Sequence, residues 1–455
     1  MSDGLIAGET PTPVVRRRFA VQIGWTLAVR LLMTANSVIA GVIVARWLGA
    51  DGLGQLGVIN VSVAMVVQLG SAGLPSANTY FIAKDKSYIF AVALNSLLFA
   101  LVVGSILAFG LAMAARWQPE WFGNISPELV KIAAISIPFQ LITLIGLNIF
   151  LALGDVRRFN LFDLSGQAFV LINAVVALMI LNSGLLALVT LNTVAAVAIG
   201  LLMVMLVAVY AGKMKREAPR WRPDFKVLRQ MILYGMKFHI SILAGAVMFR
   251  ADLLVVNHFR GASEAGVYSV ATQVAMMLML LPGVIATLLF PRATAEQDER
   301  GETTCTVTRH TSFVMLLICL AAVPLSFVLP ILYGPAFFDV PIQVLILLPG
   351  VYLIGVQSVL VQHFNAMGLP RAIPLFWITT LAINLLLVFA LVPRFGARGA
   401  AMGSTVSYLL IFALVLFYFR RSTGQKLSTI LIMSWREVGA LFRLGSQRAN
   451  VGTAR

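Results

Sequence analysis

Arg30 and Arg250 each lie well inside a long apolar run, in the contexts VRLLM and FRADLL. An arginine near the centre of a bilayer costs about 3 kcal/mol on insertion scales, and such a residue is kept when it faces a polar cavity or a partner. Arg30, Thr34, Ser37 and Gly41 fall at i, i+4, i+7 and i+11, a single small and polar helix face. That face suits a cavity; it also suits helix packing in which Arg30 bonds a neighbouring carbonyl. His239, Leu243, Ala246, Arg250 and Asn257 share a second face. Asp252 comes two positions after Arg250, about 200° around a regular helix, so the two cannot face one cavity from an unbroken helix. The favoured arrangement puts Arg250 towards the cavity and Asp252, with Ser241, Gly245 and Met248, against a neighbouring helix. Asp163, Asp252 and His363 are the spanning or edge groups able to titrate, and so the candidates for coupling to protons or ions. His239, His258, His310 and His363 have no metal-ligand spacing, and Cys305 and Cys319 form no metal or redox motif. No metal, cofactor or catalytic constellation is expected.

The elements that hold these residues must be membrane helices. The 455 residues are 60% hydrophobic and 11% charged, with a mean hydropathy of +0.92. A soluble domain carries about 25% charged residues. A chain this apolar cannot cover itself with polar groups in water, so lipid is its solvent. The net charge of +16 invites a nucleic-acid reading, but the basic residues sit mainly in the loops and tails, with only Arg30, Lys237 and Arg250 inside spans. Twelve apolar spans lie between residues 20 and 419, joined by short connections. Of the 34 Lys and Arg, 25 fall on one side and 6 on the other. The positive-inside rule then places both termini in the cytoplasm. The first apolar stretch reads as a retained helix, and Trp117 and Trp121 in the first outer loop fit an interfacial belt. The expected organisation is a basic N-terminus (1–19), six spans (20–211), a basic linker (212–232), six more spans (233–419) and a basic tail (420–455). Within that tail, Leu427–Gly445 has the spacing of a helix lying on the inner leaflet.

The two sets of spans resemble each other. ARWLGADGLGQLGV (Ala45–Val58) is related to the stretch ending at Val270: Gly49, Ala50, Gly54 and Val58 match Gly261, Ala262, Gly266 and Val270. FLALGDVRRFNLF (Phe150–Phe162) is similar to FNAMGLPRAIPLF (Phe364–Phe376), with Gly154 matching Gly368. Just upstream, Thr143 aligns with Gln357 and Asn148 with Gln362. Six spans per copy give both copies one orientation, a parallel repeat about an axis along the membrane normal. Pro75 and Pro282 interrupt the second and eighth helices and permit a bend or a fixed kink.

RADLLVVNHFRGASEAGVYSVATQV (Arg250–Val274) and GARGAAMGSTVSYLL (Gly396–Leu410), with the repeat, resemble the Wzx-type oligosaccharide and polysaccharide flippases. That family belongs with the MATE exporters and lipid II flippases in one superfamily of paired six-helix lobes. The resemblance implies an all-α polytopic membrane protein of the bacterial inner membrane, with no enzymatic step. It implies a polyprenyl-pyrophosphate oligosaccharide as substrate, moved to the outer leaflet for O-antigen, exopolysaccharide or related polymers. Membrane lipids and polysaccharide polymerase or assembly proteins are the implied partners; nucleic acid is not. In the superfamily fold the first helices of the two lobes face one another across a central cleft. Arg30 and Arg250, one on each, are therefore candidates for the pyrophosphate, whose oxygens fit the guanidinium fork. Thr143, Asn148, Gln357 and Gln362 are candidates for the sugar path, or alternatively hold helix pairs together. The runner-up is a MATE-like, cation-coupled exporter of small organic molecules, which should line its cleft with carboxylates and aromatics.

Overall fold

The computed structural model describes residues 13–433, apart from Asn124, residues 214–222 and Glu296, together with Glu437. The described residues form helices and no strand. In lipid every backbone N–H and C=O must be bonded internally, which a helix does within itself. The helices are α1 (Pro13–Gly70), α2 (Leu74–Lys84), α3 (Ile89–Trp117), α4 (Pro127–Ala134), α5 (Ile137–Ala152), α6 (Val156–Ala174), α7 (Gly184–Lys213) and α8 (Phe225–Met248). They continue as α9 (Ala251–Arg260), α10 (Ala262–Leu278), α11 (Leu280–Ala295), α12 (Glu302–Ser326) and α13 (Leu329–Tyr333). The last are α14 (Val340–Ala366), α15 (Ala372–Phe395), α16 (Ala397–Thr423) and α17 (Leu427–Leu431).

Among the described residues eleven continuous segments are long and apolar enough to cross a bilayer, and the first of them, Leu27–Gly70, has 44 residues. At about 1.5 Å per residue it would be twice as long as a hydrocarbon core is thick. Gly49 breaks it in two with φ 70° and ψ −172°, giving twelve spans. Gly261, its match in the second copy, turns the corner between α9 and α10 with nearly the same angles, φ 85° and ψ 173°. That region of backbone space is open essentially to glycine alone. The repeat seen in the sequence is thus a repeat of corner geometry.

The chain forms two compact units, each threaded from several stretches. Among the described residues, the first is drawn from 1–43, 70–111 and 131–237, and the second from 44–69, 112–130 and 238–455. In the first unit α5 packs between α2 and α7. Asn78 of α2 donates to the Ile145 carbonyl at 3.3 Å and accepts from Ser96 at 3.0 Å. Asn95 of α3 grips the backbone of Asp224 by both its N–H and its C=O, at 3.1 and 2.8 Å. Asp224 in turn caps α8, accepting from the amides of Lys226 and Val227.

In the second unit α14 is central, packed by α10, α11, α12 and α16. Its core gathers Ile354, Leu360, Phe364, Tyr408, Ile411, Val415 and Phe419. Ile430 of α17 is fully buried in the same core, and Arg309 pairs with Glu437. The described start of the basic tail is therefore docked on protein. The rest of the segment expected on the inner leaflet lies outside the described residues.

Candidate substrate and coupling sites

Arg30 sits in the first unit with Asp163 of α6, Nη2 to Oδ2 3.4 Å, both side chains partly exposed. The pyrophosphate candidate and one coupling candidate are thus brought together as an ion pair. The rest of the Arg30 face is satisfied locally: Thr34 donates to the Arg30 carbonyl at 2.8 Å. Asn36, one position before Ser37, donates to the Gln167 carbonyl, tying the first span to α6.

In the second unit the seventh span is not a continuous helix. It breaks at Phe249–Arg250 between α8 and α9, and Arg250 has φ −133° and ψ −25°. The regular-helix angle of 200° between Arg250 and Asp252 does not apply across that break. No Pro or Gly occupies it to announce it in the sequence. Arg250 is exposed, with no hydrogen-bond or ion-pair partner among the described residues. Asp252 is only 2% exposed. It accepts from the Tyr268 hydroxyl of α10, from Ser404 Oγ of α16 at 2.9 Å, and from the Leu253 amide at 2.9 Å. That amide is one of the donors orphaned where α9 starts, so the carboxylate satisfies the new helix end and meets its positive dipole.

The sugar-path candidates divide. Thr143 and Asn148 on α5 are half-buried, each donating to the carbonyl four residues back at 2.9 Å. The Asn148 carbonyl oxygen is left to accept. Gln362 donates to the Ser358 carbonyl and accepts from Asn365. Gln357 is 1% exposed, with Nε2 unpartnered among the described residues. His363 is also buried, edge-on to Phe364 and Phe419, with Nδ1 unpartnered among the described residues.

The matched glycines meet in space, which their spacing in the sequence does not reveal. A Cβ on Gly54 would lie 1.7 Å from the Ala262 carbonyl oxygen, and one on Gly266 would lie 2.0 Å from that of Ala50. The repeat pairs Gly54 with Gly266 and Ala50 with Ala262, so the contact is reciprocal, as a local two-fold requires. The backbones cross as closely as two helices can. Beside them the loop after α3 lies on the end of α9. Trp121 stacks on His258 at 4.5 Å between ring centres, and His258 Nδ1 is 3.0 Å from the Glu120 carbonyl. No cluster of metal-binding side chains is present among the described residues.

Known proteins agree with this architecture. The chain is 23% identical over 252 residues to the probable low-salt glycan biosynthesis flippase Agl15 of Haloferax volcanii, covering 53% of this chain and 52% of that protein. It is 25% identical over 290 residues to the succinoglycan biosynthesis transport protein ExoT of Rhizobium meliloti, covering 62% and 55%. The chain spans about half the length of the curated relatives it matches. Its fold is that of an inward-facing multidrug resistance MATE family transporter of the MOP superfamily, with TM-score 0.72, 16% identity, and 88% and 98% of the two chains covered. It is also that of lipid II flippase MurJ in an inward closed conformation, with TM-score 0.70, 13% identity, and 87% of each chain covered. The family model described as polysaccharide biosynthesis protein matches residues 43–339. This internally repeated, many-span membrane protein belongs to the polysaccharide biosynthesis protein family.

Proposed function

We propose that the protein flips a lipid-linked oligosaccharide across the bacterial inner membrane, from the cytoplasmic to the outer leaflet, for surface polysaccharide biosynthesis. The observation that carries this reading is Arg250: an exposed guanidinium, without a partner among the described residues, at a break inside a membrane-spanning segment. Facing lipid alone it would be costly; facing a pyrophosphate headgroup it is matched in charge and geometry. Arg30, held only by a partly exposed pair with Asp163, is the second phosphate ligand, and Asp163 is its counter-ion when substrate is absent. Thr143, Asn148 and Gln362 supply polar atoms to the glycan, whose lipid tail stays in the bilayer. Transport proceeds by alternating access of two six-helix lobes, 20–211 and 233–419, with both termini cytoplasmic. No covalent bond is made or broken. Relatives named as flippases and polysaccharide transporters support the same reading.

A cation exporter is the weaker reading. Of its two candidate carboxylates, Asp252 is sealed by hydroxyls and Asp163 is bound to Arg30. The test is flipping of a labelled polyprenyl-pyrophosphate oligosaccharide in proteoliposomes. Arg250→Ala is expected to lower the rate at least tenfold, with a further loss on adding Arg30→Ala. Normal flipping by the double variant would refute the phosphate role. Export of cationic dyes without lipid flipping would favour the exporter.

A further inference from the structure

The turn between α12 and α14 holds a cavity that the flipping reading does not use. Pro330, Pro335 and Pro341 each open a helical element there, at the N-terminus of the short α13, of the 3-10 turn Pro335–Phe337 and of the long α14. A proline at that position fixes φ in advance, so this backbone has little freedom to collapse. Tyr333 and Phe337 are buried beneath it, and the Tyr333 hydroxyl reaches Gln273 at 3.1 Å. Burial pushes that hydroxyl up to about 12, which keeps it a donor. The remaining apolar side chains are turned outwards: Phe338 is 81% exposed and Ile331 71%. They border a cavity of about 730 Å³ whose rim carries Arg46, Asp339 and Arg398. A volume of about 300–1,000 Å³ is typical of a ligand site.

The rim has one net positive charge. Arg398 pairs with Asp339 at 2.9 Å. Arg46, at the end of the first span, donates from Nε to the Leu332 carbonyl at 2.8 Å and from Nη2 to that of Ile331. Carbonyls orient a guanidinium without cancelling its charge, and Arg46 Nη1 is left to donate. The neighbouring Trp47 is exposed, as befits the membrane interface.

We propose that this cavity binds a membrane phospholipid with an anionic headgroup, one acyl chain lying against Ile331, Ile342 and Phe338 and the phosphodiester on Arg46. An apolar wall with a cation at its mouth suits an amphiphile with an anionic head. One uncompensated charge matches a monoanionic phosphodiester and does not match a pyrophosphate. Arg46 belongs to the first span and its carbonyl partners to the turn after α12, so a bound lipid strengthens that junction.

The test uses the full-length protein in nanodiscs of phosphatidylcholine, with and without phosphatidylglycerol, read by native mass spectrometry and thermal unfolding. Phosphatidylglycerol is expected to stay bound and to raise the Tm, and phosphatidylcholine to do neither. Arg46→Gln should weaken phosphatidylglycerol binding about tenfold. Ile342→Trp, which fills the cavity, should do the same without touching the charge. Phe338→Ser, at an exposed position, serves where the tryptophan variant fails to fold. Equal retention of both lipids, or unchanged binding in the folded variants, overturns the proposal. Displacement of phosphatidylglycerol by an equimolar polyprenyl pyrophosphate also overturns it, by giving the cavity to the transported lipid.

Discussion

At the scale of single residues, the acidic side chains of the two units should behave differently when neutralised. Asp163 shares a partly exposed ion pair with Arg30. Pairs of that kind contribute about 1 kcal/mol or less. Asp252 is enclosed and takes three hydrogen bonds. A buried hydrogen bond contributes about 1 kcal/mol net, and a buried donor left unpaired costs about 1–3 kcal/mol. Asp163→Asn is therefore expected to leave the unfolding midpoint in detergent nearly unchanged. Asp252→Asn should lower it clearly, because its amide group meets donors, and Asp252→Leu should lower it further. Equal effects of Asp163→Asn and Asp252→Asn would contradict this placement. Asp252 was legible as an intramembrane acid, but the spacing argument that separates it from Arg250 holds only for an unbroken helix, which the break at Phe249–Arg250 removes. Its partners were not legible, since Tyr268 and Ser404 lie 16 and 152 positions away and only tertiary packing selects them. The Arg30–Asp163 pair was hidden for the same reason: both residues were visible candidates, but in unrelated roles.

At the scale of elements, the legible features were those that only one residue type can perform. Gly49 and Gly261 stood out as matched positions because the corner they build admits little else. Gly154 and Gly368, matched in the same way, also have positive φ, 74° and 95°. The break at Phe249–Arg250 lacks such a residue, and its sequence has the pattern of a continuous helix. Pro75 gave partial warning of a break in the second span, which falls just before it at Ser71–Gly73. Gly261→Ala should cost about 1–3 kcal/mol through backbone strain alone, since no atom crowds the site. Gly110 and Gly283 are equally uncrowded, but neither has a positive φ and both lie within helices. Alanine there should be neutral or stabilising by about 0.5–1 kcal/mol. Thermal unfolding of the three variants side by side separates strain from crowding: destabilisation of all three to the same degree would show that the corner angles do not matter.

At the scale of the whole molecule, the consequence of the repeat is the crossing at Gly54 and Gly266. Twelve spans and the parallel repeat were legible, because hydropathy and matched residues report them directly. That the matched residues touch each other was not, because a repeat fixes the relation between copies only up to an axis. On the proposed alternation of residues 20–211 against 233–419 this crossing is a contact that opens once per cycle, and its geometry supplies a way to hold it shut. A Cβ on Gly57 would lie 3.8 Å from the Ser269 Cβ. Disulfides have a mean Cβ separation of about 3.8 Å. Gly57→Cys with Ser269→Cys, in a background where Cys305 and Cys319 are replaced, should therefore cross-link on mild oxidation. Both native cysteines are buried and free, so their replacement removes competing thiols without breaking a bridge. Oxidation is expected to abolish flipping in proteoliposomes and reduction to restore it, while either single cysteine variant responds to neither. Helix crossings that serve only as structure would tolerate the bond. Flipping at the reduced rate by fully cross-linked protein would mean that the crossing stays closed throughout the cycle, and that substrate passes by another opening.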